Sequence, residues 1–300
     1  MNSDKYIPLL FALMFALNLG CGGIGEAQYP IDFRHAVIDG KPNTGVDCCT
    51  DVCALGDLNR DGLQDVIIGA ENASTNGLVW YENPTWKKRG VAIGEFTTDG
   101  RIADINGDGA PDIVISSTDG GIFWFENSAW SSEAHWSMHK VYPNYAHDVL
   151  VGDLEGDGDL DIITCDKKRL VASIQAGPDT WHHKVIIEKK GEGIGLADVD
   201  HDNDLDIIYG AAWLEAPNDP LNQNWNYHVI DATWPEETKV STADMNADGR
   251  TDVVLTASEG QGDLAWFEMP LSPKTELWNR HQVDTGLEGA HSLKAADMDN

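Results

Sequence analysis

Five times along this 300-residue chain, acidic and amide side chains recur at alternate positions of a nine-residue stretch, D-x-[DNE]-x-D-[GN]-x-x-D. The copies begin at Asp57, Asp104, Asp153, Asp198 and Asp244, and a sixth opens at Asp297 with Asp299 two places on. Oxygen donors at alternate residues of a tight loop suit Ca2+, a hard cation that takes roughly six to eight oxygens in flexible geometry. The first predicted site uses Asp57, Asn59, Asp61 and Asp65 with the carbonyl of Leu63. The second matches it with Asp104, Asn106, Asp108 and Asp112. In the third, Glu155 joins Asp153, Asp157 and Asp161. The fourth is all aspartate (Asp198, Asp200, Asp202, Asp206), and the fifth uses Asp244, Asn246, Asp248 and Asp252. Without metal these carboxylates repel, so cation binding is expected to be coupled to folding. An EF-hand loop starts the same way but needs a bidentate Glu at its twelfth position and a helix after it. Here the twelfth residue is Ile68, and no helical period follows.

The elements that position these loops are β-strands. Each loop runs into a β-branched stretch: Val66-Ile67-Ile68, Ile113-Val114-Ile115, Ile162-Ile163-Thr164, Ile207-Ile208-Tyr209 and Val253-Val254-Leu255, a composition that favours strands. Successive copies start 47, 49, 45, 46 and 53 residues apart, a period that fits one four-stranded propeller blade. A second signature follows each loop: Trp80-Tyr81-Glu82-Asn83-Pro84, Trp124-Phe125-Glu126-Asn127, Trp213-Leu214-Glu215-Ala216-Pro217 and Trp266-Phe267-Glu268-Met269-Pro270. The third blade departs from it with Ser173-Ile174-Gln175-Ala176. A third signature pairs Trp136 with His139, Trp181 with His183, Trp225 with His228 and Trp278 with His281. Recurrence in every blade assigns these tryptophans to packing between blades rather than to a ligand platform, and places the histidines on outer strands.

Loops and Trp-aromatic-Glu-Asn-Pro segments together resemble the FG-GAP/VCBS repeat family, over about residues 31–300. Integrin α-subunit heads share the same kind of blade and loop. The resemblance implies an all-β fold, a β-propeller of four-stranded blades with seven in the full-length protein. Five complete blades and a started sixth are present, so the chain reads as C-terminally truncated. The stretch Phe33–Asp39 resembles the segment ending His228-Val229-Ile230-Asp231 and reads as an orphan outer strand.

In blades of this kind the strand before the loop lines the central channel. The residues six places before each first loop aspartate, Asp51, Thr98, His147, Glu192, Thr238 and His291, are then expected near the axis at the opposite rim. Of these, His147, His291, Asp51 and Glu192 are the weak catalytic candidates, with Asp148 alongside. Such groups could bind a metal or supply acid and base to a sugar, and His147-Asp148-Val149 loosely resembles propellers of sugar lyases and dehydratases. A wet polar channel is the plainer expectation. No Gly-rich phosphate loop, G-x-S-x-G elbow or H-E-x-x-H is present,.

The chain carries 50 acidic against 20 basic residues, a formal charge of −30. That excludes nucleic acid and favours cations or basic partners. Lys5 and the apolar run Ile7–Leu19 read as an export signal, too short for a membrane span. Residues 1–27 are therefore assigned to the signal and 28–300 to the propeller. Cleavage after Gly25-Glu26-Ala27 and lipidation at Cys21, within a lipobox-like Leu19-Gly20-Cys21, are both open; the lipid anchor would be the sole membrane contact. The expected location is secreted or cell envelope. An oxidising compartment admits a disulfide from Cys53 to Cys48 or Cys49, and Cys165 reads as a buried small residue. The leading functional expectation is a binding or scaffold module for glycan or extracellular protein; the alternative is a carbohydrate-active lyase or dehydratase centred on the axis.

Overall fold

The computed structural model describes residues 37–39, 50–70, 77–118, 120–128, 136–166 and 168–296. The chain is laid out as five successive antiparallel sheets of four strands. Blade one contains β1 (Thr50–Gly56), β2 (Asp65–Ala70), β3 (Leu78–Glu82) and β4 (Lys87–Ala92). Blade two contains β5 (Phe96–Ala103), β6 (Asp112–Ser117), β7 (Gly121–Asn127) and β8 (Trp136–Tyr142). Blade three contains β9 (Asp148–Gly152), β10 (Asp161–Cys165), β11 (Leu170–Gly177) and β12 (Thr180–Ile187). Blade four contains β13 (Ile194–Ala197), β14 (Asp206–Tyr209), β15 (Ala212–Glu215) and β16 (Asn226–Val229). Blade five contains β17 (Thr238–Ala243), β18 (Asp252–Ala257), β19 (Gln261–Glu268) and β20 (Asn279–Glu288). First strands of successive blades lie against one another, β1 on β5, β5 on β9, β9 on β13 and β13 on β17. This is a β-propeller arrangement. No helix among the described residues is long and apolar enough to cross a membrane.

The β-branched runs after the loops form the second strands, and β6, β10, β14 and β18 are buried along their whole length. Continuous apolar sequence is what a strand covered on both faces requires. The cores lie between blades. Trp80 and Trp136 share one cluster across blades one and two, meeting edge to face at 6.4 Å. Trp124 and Trp181 share the next, and Trp213 and Trp278 share the cluster across blades four and five. Trp80, Trp124 and Trp213 thus share a core with the Trp at the start of the next blade's outer strand, the inter-blade role expected of them, while Trp266 packs with Val254, Leu264 and Val283 of its own blade. Fully burying such a side chain contributes about 2–3 kcal/mol.

Blade three keeps this register with different residues. Ala172 pairs with Lys184 where Trp124 pairs with His139, and Gln175 faces Trp181 where Asn127 faces Trp136. The position equivalent to His139 is therefore Lys184, and the sequence pairing of Trp181 with His183 is one residue out of register. His183 instead meets the Ser173 hydroxyl at 3.0 Å. Of the predicted orphan strand, residues 33–36 lie outside the described residues, and 37–39 are in no strand. Asp39 accepts a hydrogen bond from the Tyr81 hydroxyl at 2.7 Å and pairs with Lys88 at 3.3 Å. Residues 1–27, Cys21, Cys48 and Cys49 lie outside the described residues. Cys53 is exposed on β1, while Cys165 is buried, as expected.

Candidate metal loops and the axial cluster

All five loops connect the first and second strands of their blades and share one backbone path. The sixth residue lies in the left-handed region each time: Gly62 at φ 87°, Gly109 at 89°, Gly158 at 96°, Asn203 at 76° and Gly249 at 86°. Asn203 thus does what the turn glycine does elsewhere. The fourth residue is left-handed too, including Arg60 at 57°, His201 at 63° and Ala247 at 59°. That second kink has no residue-type signature and is invisible in the sequence. Two kinks turn successive N–H groups inward, making a concavity that favours carboxylates.

The carboxylates are aimed by those N–H groups. Oδ2 of the first aspartate accepts from the sixth residue's N–H in every loop, at 2.8 Å from Gly62, Gly109 and Gly249, 3.0 Å from Gly158 and 3.2 Å from Asn203. Oδ1 of the fifth residue accepts from the seventh N–H, at 2.9 Å from Leu63, 2.7 Å from Ala110, 2.9 Å from Asp159, 3.1 Å from Asp204 and 2.9 Å from Arg250. Position three differs among loops. Asn59, Asn106 and Asn246 accept the fifth residue's N–H at 3.1, 3.0 and 3.1 Å. Burial raises the Glu155 carboxyl above its usual range, helped by Asp157 and Asp153.

The ninth residue has a second duty. Asp65, Asp112, Asp161, Asp206 and Asp252 are all essentially fully buried. In each, Oδ2 accepts the N–H of the loop's second residue, for example Ile105 to Asp112 at 2.9 Å, and Oδ1 accepts an N–H at the C-terminal end of the third strand, for example Asn127 to Asp112 at 2.8 Å. The same pair of bonds is made by Leu58 and Asn83, Leu154 and Gln175, Val199 and Ala216, and Met245 and Met269. This residue staples loop to third strand through backbone N–H groups. Burial pushes these carboxyls up, Asp112 to about 6 and Asp161 and Asp206 to about 7, against the pull of their N–H donors.

The donor set fits a hard divalent cation. It consists of oxygen alone, Asp104 Oδ1 is buried without a hydrogen-bond donor, and carboxylate oxygens of Asp198, Asp200 and Asp206 come within 4.8 Å of one another. Asp297 and Asp299 lie outside the described residues.

The axial register divides. His147 and Glu192 come together, with His147 Nδ1 3.4 Å from Asp148 Oδ1 and 3.9 Å from Glu192 Oε2. Thr238 instead donates to the Thr256 carbonyl at 2.6 Å and accepts from the Trp234 indole at 3.0 Å, a packing role. Thr98 donates to the Ala146 carbonyl at 3.3 Å. His291 sits apart, its side chain 59% exposed and 3.2 Å from Glu259. Residues 291–296 pair in no strand, so His291 lacks the register that aligns the others. The Asp51 side chain lies outside the described set.

Of the next register, five places before each loop, the sequence reading named Asp148 beside His147 but missed Asp99 and Lys239. Asp99, Asp148 and Lys239 link blades. Asp99 accepts the Val149 N–H at 3.0 Å and is held by Arg101. Asp148 accepts the Gly193 N–H at 3.1 Å and the Lys239 ammonium at 2.8 Å. Glycine at 193 leaves that path clear: its φ is 76°, and a Cβ there would lie 2.7 Å from the Thr238 carbonyl. Burial raises the Asp148 carboxyl, but the adjacent His147 imidazole and the Lys239 ammonium outweigh it and hold the group well below the usual range. Glu192 accepts from the Ser258 hydroxyl at 3.2 Å. The cluster chiefly ties blades two to five together, with an imidazole lodged between two carboxylates.

Successive four-stranded blades, each with an acidic loop between its first and second strands, define a repeat-built β-propeller. An FG-GAP-like repeat model matches residues 57–115 and 104–164, so FG-GAP-like repeats and a β-propeller arrangement go together in this chain. Among solved structures, it is similar to a lectin of Agrocybe aegerita described by its specific recognition of non-reducing terminal N-acetylglucosamine. That match has a TM-score of 0.55 and 17% identity, covering 80% of this chain and 67% of the lectin. It is also similar to the V. cholerae biofilm matrix protein Bap1, at a TM-score of 0.48 and 14% identity, covering 79% of this chain and 40% of that one. At these identities the likeness is one of fold. Comparison with curated proteins found no match.

Proposed function

We propose that the chain is an exported, calcium-stabilised binding or scaffold module whose partners are glycans or extracellular proteins. The observation that carries the calcium reading is the fivefold donor geometry, in which backbone N–H groups aim the first and fifth carboxylates of every loop. Asp57, Asn59, Asp61 and their counterparts would hold the ion, with the Leu63 carbonyl as a further donor. Calcium here supplies charge neutralisation and cross-linking of the loop. Five such ions, two charges each, would bring the formal charge from −30 to −20. The recognition reading draws on the propeller fold shared with a lectin, which makes terminal N-acetylglucosamine the first glycan to test.

The expected result is a melting temperature that falls on adding EGTA and recovers with excess CaCl2. A melting temperature indifferent to both rules out the calcium reading. Glycan-array binding by the purified chain, lost in EGTA, tests recognition. An array without signal, together with no captured extracellular protein, removes the binding-module reading.

A further inference from the structure

The fourth loop has a cation of its own, delivered by the neighbouring blade. Lys274 lies in the β19–β20 connection of blade five, and its ammonium rests against Asp200 Oδ2 and 2.7 Å from Glu215 Oε1. The connection is shaped for this. Thr275 and Glu276 donate N–H to the Ser272 carbonyl at 3.0 and 2.9 Å, and the Ser272 N–H donates to Glu276 at 3.0 Å. Glu215 is itself oriented by His228, 2.9 Å away.

Asp200 departs from its counterparts. Where Asn59, Asn106 and Asn246 accept an N–H from their own loops, both Asp200 oxygens are buried without such a donor, and its side chain is 7% exposed. A buried carboxylate without a partner is strongly disfavoured, so the loop depends on a positive charge arriving from outside. Two cations compete for that role, since a lysine ammonium and a divalent ion at adjacent oxygens repel.

We propose that Lys274 is a tethered competitor of calcium in the fourth loop, making this all-aspartate site the weakest of the five to fill and keeping that loop closed when metal is absent. This rests on the calcium reading above. The test is calorimetric titration of metal-stripped full chain with CaCl2, comparing wild type, Lys274→Met, Asp198→Asn and the double variant. Lys274→Met keeps the side-chain stem on a connection already exposed to solvent. Removing one positive charge beside a divalent ion should tighten a single site by at least about tenfold. With Asp198→Asn, which disables the fourth loop, Lys274→Met should change nothing. Wild type that binds calcium and a Lys274→Met variant that titrates identically would overturn the competitor role, as would tightening that persists alongside Asp198→Asn. No binding by any of the four proteins would instead overturn the calcium reading and take this inference with it.

Discussion

Asp112 offers a clean separation between a structural and a metal-binding duty. Replacing it by alanine strips the acceptor from two N–H groups, those of Ile105 and Asn127, at 2.9 and 2.8 Å. Ile105, Asn127 and Asp112 itself are each at most 2% exposed, so water cannot take over. A buried donor left unsatisfied costs about 1–3 kcal/mol, giving about 2–6 kcal/mol for the pair. Releasing a carboxylate that burial already disfavours returns part of that, which places the expected loss near 2–4 kcal/mol. For a domain of this size that lowers the melting temperature by roughly 5–15 °C. The decisive assay is thermal or urea unfolding in EGTA, followed by tryptophan fluorescence, because chelation removes any contribution of the ion. Asp108→Asn is the contrast: Asp108 is exposed in the loop, so its loss should matter in calcium and little in EGTA. If Asp112→Ala matched wild type in EGTA and lost stability only in calcium, the staple would be refuted and Asp112 would be a ligand alone.

Other expectations follow from the inter-blade contacts. Asp148→Asn leaves the Lys239 ammonium without its main partner and should cost about 2–4 kcal/mol, measured by urea unfolding. Because the folded Asp148 carboxyl is held below its unfolded value near 3.9, the stabilisation is complete above about pH 4 and is lost as pH falls below it. Melting curves of wild type and variant should therefore stay a constant distance apart from about pH 8 to 5 and converge below about 4; a gap that changes between 5 and 7 would assign the effect to another group. Trp213→Ala empties a fully buried position and should cost about 3–5 kcal/mol in the same assay. His228→Ala removes a ring stacked on Trp213 at 4.3 Å and its 2.9 Å contact with Glu215, together for about 1–2 kcal/mol; equal losses would contradict this ordering. Gly193→Ala should destabilise by more than about 1 kcal/mol through backbone strain and the Thr238 carbonyl clash,.

Each third-strand Trp also carries a cation-capable lid. His139, His228 and His281 stack on Trp124, Trp213 and Trp266 at 4.2, 4.3 and 3.9 Å. Each of these imidazoles reaches the glutamate two residues beyond its Trp, at 3.3, 2.9 and 2.9 Å. In blade one Arg89 takes the same place over Trp80 and bonds Glu82 at 3.0 Å. The glutamate of the repeated Trp-aromatic-Glu segment is thus explained by packing chemistry on the outer strand.

The nine-residue spacing by itself determined the blade type, the period, the strands after each loop and the turn position filled by glycine or Asn203. These depend on neighbours a few residues apart, where alternation and left-handed turns leave a mark in residue type. The tertiary structure alone decided the rest. Lys239 meets Asp148 across 91 positions of sequence, and Lys274 meets Glu215 across 59. Blade three's Lys184 occupies the histidine position because strand register, not sequence spacing, sets which side chains face each other. Those pairings arise only once separate blades are stacked. A repeat motif encodes the interior of a blade, while the charges that join one blade to the next are set by the packing between them.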